Sequence, residues 1–222
     1  MPTHQLPSCP LCEQADDITP FAHDTGRDYM ICGQCDLVFM PPQQHPSPAA
    51  EKQRYDLHCN HASDQGYRQF LSQLTEPLTA RLQPGANGLD FGCGPTAVIA
   101  LILENGGFRM NRYDPFYAPD RSVLETSYDF IACVEAMEHF FQPALEWKLF
   151  LHLVKPGGWI GIMTALREPQ TDFINWWYRK DITHVCFYSR RTFEWLAMRD
   201  GLEVEFISKS VIIMKKADRK QA

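Results

Sequence analysis

The chain has 222 residues, 45% of them hydrophobic and 12% aromatic, enough for one full α/β domain with a true core plus a small appendage. Its net charge of -6 gives no global pull toward nucleic acid; Arg179, Lys180, Arg190 and Arg191 are the candidates for a local basic face, although such a cluster is usually solvated surface. The longest apolar run, residues 97–103, is far below the roughly 18 residues of a membrane span, and the first residues lack a charged-then-apolar signal pattern. The expectation is a cytoplasmic protein with no membrane partner.

Eight cysteines in such a chain argue for thiols, metal binding or catalysis rather than a disulfide framework. Cys9-Pro-Leu-Cys12 and Cys32-Gly-Gln-Cys35 form two CxxC knuckles with 19 residues between them, the spacing of a closed, tetrahedral four-cysteine site for structural Zn²⁺. A redox role for either knuckle is the alternative reading. Residues 1–45 hold few large apolar side chains, so metal binding would supply much of this segment's folding free energy. The prolines of PPQQHPSP then make a stiff connector. Beyond it Arg54, Tyr55, Asp56 and His58 form a polar cluster that lines a site or caps a surface. Tyr67, Phe70, Leu71, Leu74, Leu78 and Leu82 recur at helical steps, with Pro77 expected to kink or divide that helix. Residues 46–84 thus read as linker and packing helices.

The stretch GANGLDFGCGPT reads as strand, glycine turn and helix, a cofactor cradle. A second strand, residues 108–113, delivers Asp114 about 20 residues beyond the turn, where a carboxylate accepts ribose hydroxyls of an adenosine cofactor. Gly92, Gly94 and Ala97 also satisfy the dinucleotide-binding pattern, so the glycines alone leave two cofactor classes open. Residues 128–133 form a buried strand, and Glu135, Glu138 and His139 follow its carboxyl end, where open α/β sheets bind ligands. A helix from Pro143, the KPGG turn and a strand over residues 159–163 complete a βαβ unit. The insertion between Arg167 and Tyr188, with Trp176, Trp177, Tyr178 and His184, is expected to wall a substrate pocket. Ser189 caps a helix that ends at Gly201, strands follow over residues 202–207 and 211–214, and the basic tail KKADRKQA reads as disordered.

Taken in order, LDFGCG, Asp114, YDFI with EAMEH, and LVKPGG resemble the class I S-adenosylmethionine-dependent methyltransferases over roughly residues 85–215. That resemblance implies a Rossmann-like sheet of seven strands, the last antiparallel, flanked by helices within residues 85–217. It places Asp90, Gly92 and Gly94, with Phe91 and Cys93 between and beside them, around the methionine end of S-adenosylmethionine, and Asp114, followed by Pro115, at the ribose. Two departures stand out: Pro95-Thr96 replaces a further glycine, and only residues 115–127 occupy the space where the family fits a helix, a strand and an adenine-contacting acid. Cys133 and Glu135 are the candidates left for that end of the cofactor.

A four-cysteine segment ahead of the domain is similar to that of sugar C-methyltransferases, in which a Glu-His pair at the position of Glu138 and His139 is implicated in proton abstraction. Ribosomal RNA guanine methyltransferases also carry an N-terminal zinc segment, but with a histidine ligand. His139 is the first candidate base, with Glu138 as partner, His184 second and His58 lower. A small-molecule substrate is favoured over RNA or protein docked by the zinc ribbon, and over a non-catalytic binding module. The sequence carries no signal for an oligomeric state.

Overall fold

The computed structural model describes residues 7–57 and 61–218; His58 and residues 219–222 of the tail lie outside them. The amino-terminal hairpin pairs β1 (Ile18–Asp24) with β2 (Arg27–Cys32), and β3 (Val38–Phe39) continues the sheet. Pro20 is tolerated because β1 is an edge strand. The two knuckles are closed alike. Glu13 follows Cys12 and Asp36 follows Cys35, both in the left-handed region at φ 65° and 61°, and their N–H groups donate to the carbonyls of Cys9 and Cys32 at 2.9 and 2.8 Å.

Two helices come next, α1 (Pro48–Tyr55), capped by Ser47, and α2 (Gln65–Thr79), capped by Asp64. Pro77 does not divide α2; it lies in the last turn, so the hydrogen bond it removes weakens only the helix end. The main unit then alternates β4 (Asn87–Phe91), α3 (Val98–Asn105), β5 (Arg109–Tyr113), β6 (Tyr128–Val134), α4 (Pro143–Leu153) and β7 (Val154–Met163). After the insertion, which contributes β8 (Cys186–Phe187), come α5 (Arg190–Asp200), β9 (Leu202–Phe206) and β10 (Val211–Lys216). Lys215 and Lys216, expected in the tail, belong to β10.

The main sheet has the order β5-β4-β6-β7-β10-β9, with β4 to β7 parallel and β10 antiparallel to both of its neighbours. Among the described residues it contains six strands, where seven were expected. Residues 115–127 hold only an isolated bridge, Asp114 to Ala118, and a short 3-10 helix, Arg121–Glu125. A further parallel strand needs a crossover of a dozen or so residues in addition to itself. The KPGG residues lie inside an irregular β7, whose pairing with β6 shifts register between Tyr128 and Phe130.

Alternation along the strands sorts the core onto two faces. Phe130, Ala132, Val211 and Ile213 pack with Leu71, Leu74 and Leu78 of α2 and Val98, Ile99 and Leu103 of α3. Ile131, Cys133, Ile212 and Met214 face the opposite way, toward Phe150 and Leu153 of α4 and Phe193 and Leu196 of α5. A Cβ at Gly161 would lie 2.9 Å from Leu78, so this glycine permits the close approach of α2 to β7. The second cluster is continuous with the amino-terminal segment through Leu11, Leu37, Phe39 and Phe187. β8 pairs with β3 as the fourth strand of the small sheet, so the insertion and the cysteine segment share backbone hydrogen bonds.

Candidate active site

The carboxyl ends of β4, β5 and β6 open into one cavity of ≈ 1220 Å³. At the end of β4, Gly92 adopts φ +75°, and its N–H and that of Cys93 both donate to the carbonyl of Tyr113 at 2.8 and 3.2 Å, tying the turn to β5. Gly94 adopts φ +62° with nothing within 4 Å of an added Cβ, so its backbone faces open space. The turn closes on Ala97, left-handed at φ 45° and ψ 44°, where the sequence provides no glycine. A non-glycine residue in that region costs roughly 1–2 kcal/mol.

Asp90 is enclosed and accepts the Ala100 N–H at 3.2 Å; burial pushes its carboxyl up to about 7. Asp114 is oriented by three backbone donors, with Gly94 on Oδ2 at 3.0 Å and Phe116 and Tyr117 on Oδ1 at 2.9 and 3.1 Å. The two carboxylates and the two glycines line the cavity together with Phe91, Cys93 and Pro115.

Past β6 the chain turns through Glu135, left-handed at φ 47°, whose N–H donates to Met163 at 2.7 Å. Strained backbone of this kind clusters at functional sites. Burial, with the charge of Glu138 adding to it, pushes the Glu135 carboxyl up to about 9. The next turn presents Glu138 and His139. Glu138 is 0% exposed; Oε2 accepts from the Thr164 hydroxyl at 2.9 Å, which lies 3.0 Å from the Tyr178 hydroxyl, while Oε1 has no hydrogen-bond partner. His139 donates from Nδ1 to the Thr183 carbonyl at 3.1 Å, leaving Nε2 bare 3.9 Å from Glu138 Oε1. His184 likewise donates from Nδ1 to the Tyr178 carbonyl at 2.7 Å, and the two imidazoles meet edge to face at 4.7 Å. Burial pushes His139 down to about 4, so the ring is neutral at pH 7.

All predicted residues of the cradle, and Glu135, Glu138, His139 and His184, therefore line the same cavity. Cys133 does not: it is fully enclosed in the core on the α4 side of the sheet. Of the insertion, Trp177 and Tyr178 join the lining, whereas Trp176 packs against Phe173 and Phe187. Of the four candidates for a basic face, Lys180, Arg190 and Arg191 are exposed and Arg179 is not. Arg179 is buried beside Asp24, Arg191 donates to the Gly33 carbonyl, and Arg190 lies over the Phe206 ring.

Sequence reasoning left α1 undecided, yet Glu51, Arg54 and Tyr55 line the cavity from that helix. Tyr55 donates to Glu51 at 2.7 Å and sets its ring 5.0 Å from that of His139, and Arg54 pairs with Asp181 of the insertion at 2.8 Å. The signal was their i, i+3, i+4 spacing, which puts all three on one helical face. Glu146 and Leu149 of α4 were also missed as lining residues.

Away from the cavity, Cys9, Cys12, Cys32 and Cys35 bring their four sulfurs within 4.8 Å of one another, with Cys12 half-buried and the others buried. Hydrogen bonds among the thiols favour ionisation at Cys12 and oppose it at Cys9 and Cys35. A cation at the centre would let all four act as thiolates.

Residues 63–206 match a family model described as a methyltransferase domain. Among curated proteins, the chain is similar to a ubiquinone biosynthesis O-methyltransferase of Sodalis glossinidius, 31% identical over 91 residues, which is 41% of this chain and 36% of that protein. A protein of the same name from Cronobacter sakazakii is 32% identical over 98 residues, 44% of this chain and 40% of its own length. The match thus spans well under half the length of these relatives. Among solved structures, an O-methyltransferase family protein from Burkholderia thailandensis superposes with a TM-score of 0.50 at 13% identity, covering 77% of this chain and 64% of that one. A magnesium protoporphyrin IX methyltransferase from Synechocystis does so with a TM-score of 0.50 at 11% identity, covering 76% and 92%. These two likenesses concern the fold. No helix among the described residues is long and apolar enough to cross a membrane.

Proposed function

The chain belongs to the methyltransferase domain family, and on that premise we propose that it is an S-adenosylmethionine-dependent methyltransferase acting on a small molecule. The observation that carries this reading is the single cavity of ≈ 1220 Å³ that the glycine turn and Glu138, His139 and His184 line together. Ligand pockets commonly run about 300–1,000 Å³. This one has room for a nucleoside-sized cofactor and a small acceptor side by side.

The residues present fit the cofactor. Gly94 leaves the space that a Cβ would fill, and Asp114 stands at the end of β5 with its carboxylate fixed by three N–H donors. Gly92, Gly94 and Asp90 would hold the methionine end and Asp114 the ribose. When bound, S-adenosylmethionine supplies a methyl group already activated by its sulfonium. The remaining work of the chain is to align the acceptor, exclude water and accept a proton. Neutral His139, with Nε2 bare, accepts that proton from the acceptor, and Glu138 stabilises the imidazolium. Tyr55 and Trp177 close the wall around the acceptor.

The curated relatives carry the name O-methyltransferase, which favours a hydroxyl acceptor. The four-cysteine segment, in the manner of the sugar C-methyltransferases, holds a structural Zn²⁺ and through β8 braces the wall that carries Tyr178 and His184. Its reduced thiols fit a cytoplasmic setting.

Calorimetric titration of the full chain with S-adenosylhomocysteine tests the cofactor, and incubation of cell extract with methyl-labelled S-adenosylmethionine tests the acceptor. Label in the small-molecule fraction is expected. Label in RNA or protein instead would overturn the small-molecule reading, and absence of S-adenosylhomocysteine binding would overturn the enzyme reading.

A further inference from the structure

The geometry points to a second metal site: Glu138, His139 and His184 form a facial cage for one divalent cation at the acceptor end of the cavity, with positions left open for an oxygen donor of the substrate. The inference rests on the proposed function only for what the cation acts on. It also changes the role of His139, because the bare nitrogen that can take a proton can equally take a metal.

Three observations carry it. The ligand atoms of the trio lie within 4.8 Å of one another. Four ligand atoms held about 2.0–2.1 Å from one ion sit roughly 3.3 Å apart, so a closing of up to about 1.5 Å by side-chain rotation completes the site. Next, both imidazoles donate Nδ1–H to backbone carbonyls, of Thr183 and Tyr178, so both present Nε2 lone pairs. A hydrogen bond on the far nitrogen is how proteins fix histidine ligands in tautomer and orientation. Finally, Oε1 of Glu138 is a buried oxygen with no partner, on a side chain that is 0% exposed and held by Thr164 through its other oxygen. An unpartnered buried carboxylate oxygen is costly if it is charged and nothing compensates it. A cation is the compensation that its position 3.9 Å from His139 Nε2 invites.

The donor set is two imidazoles and one carboxylate, which suits Mn²⁺, Fe²⁺ or Zn²⁺ and differs from the all-thiolate cluster near the amino terminus. Three protein ligands leave the coordination sphere open, as in catalytic rather than structural sites. A cation held there would acidify a bound hydroxyl, as it does bound water, so that the hydroxyl enters the cavity already deprotonated, its proton having been released to bulk solvent on binding. The substrate class is then a small molecule that presents an oxygen donor to the metal.

The probe is Mn²⁺, which prefers imidazole and carboxylate to thiolate. It is titrated into the full chain and free Mn²⁺ is read by electron paramagnetic resonance, with folding checked by circular dichroism. One Mn²⁺ per chain is expected in the zinc-loaded chain, weakened at least tenfold in both Glu138→Gln and His184→Gln. The proposal is overturned if the wild-type chain binds no stoichiometric Mn²⁺ and takes up no Zn²⁺ beyond one per chain. It is equally overturned if both variants bind as the wild type does. Titrating the same samples with S-adenosylhomocysteine separates the failures: cofactor binding without the second metal sinks this inference alone, and metal binding without cofactor binding sinks the enzyme reading alone.

Discussion

The guanidinium of Arg167 and the carboxylate of Asp36 meet at 2.5 Å across 131 residues of sequence, joining the second cysteine knuckle to the segment that follows β7. Asp36 also accepts from the Ser189 hydroxyl at 2.6 Å, so one carboxylate serves the cap of α5 and the knuckle together. Arg167 is 9% exposed and its Nε already lacks a partner. Removing Asp36 therefore leaves a largely buried cation with little compensation. Hydrogen bonds to charged groups contribute about 1.5–3 kcal/mol. Asp36→Ala should lower unfolding free energy by about 2–3 kcal/mol in urea titration. A loss below ~0.5 kcal/mol would show that the pair acts as an exposed one.

The same linkage gives the cysteine cluster a remote effect. β3 pairs with β2 on one side and with β8 on the other. The chain on either side of β8 carries His184 and Tyr188, whose hydroxyl donates to the Met137 carbonyl at 3.1 Å beneath the Glu138 turn. Cys32→Ser should abolish zinc retained on purification, lower the melting temperature, and loosen the cavity wall. Hydrogen exchange is the measurement: amides of residues 183–188 should lose protection together with those of residues 30–39. Loss of protection confined to the knuckles would show that the two sheets are mechanically independent.

Much of this was legible because the physics involved is local. The short apolar run of residues 128–133 read as a buried strand, Ser189 and Gly201 bracketed α5 as cap and left-handed stop, and the paired CxxC spacing named the cysteine cluster. What stayed hidden depends on contacts far apart in sequence. Two residues, Cys186 and Phe187, have no strand signal of their own and become β8 only because β3 offers an edge. Arg179 reads as a surface charge until Asp24 is brought to it. Cys133 sits at the cavity end of β6, but strand alternation turns its side chain to the core face. The missing seventh strand was marked by the brevity of residues 115–127, a stronger constraint than the resemblance that predicted it.

Ala97 offers a test of backbone strain. It occupies the left-handed region at φ 45° as the residue before α3, the position at which glycine carries no Cβ penalty. Ala97→Gly relieves that penalty and loses little burial, since only one methyl is removed. The variant should be more stable by about 1 kcal/mol in urea titration. If it is less stable, packing of the methyl outweighs the strain, and the turn owes its shape to Ala97 rather than tolerating it.

Asp90 predicts a pH dependence whose sign follows from its raised pKa. Burial lifts the folded carboxyl from 3.8 to about 7, so the folded chain holds this proton more tightly than the unfolded chain. The resulting stability is fully present below the unfolded value and is lost as pH rises from about 4 through 7. His139 has the opposite sense, its folded pKa being depressed to about 4, so its neutral form favours the fold above 6.5 and the contribution fades as pH falls through 4. Comparing Asp90→Asn with the wild type cancels the His139 term, which both proteins share. The carboxamide of that variant cannot ionise and keeps an oxygen for the Ala100 N–H. Its stability relative to wild type should therefore rise between pH 5 and pH 8, by up to about 3 kcal/mol at 1.36 kcal/mol per pKa unit. Urea titrations at the two pH values measure it. A difference that does not change with pH would mean that Asp90 ionises in the folded chain much as it does in water, and that its enclosure is incomplete.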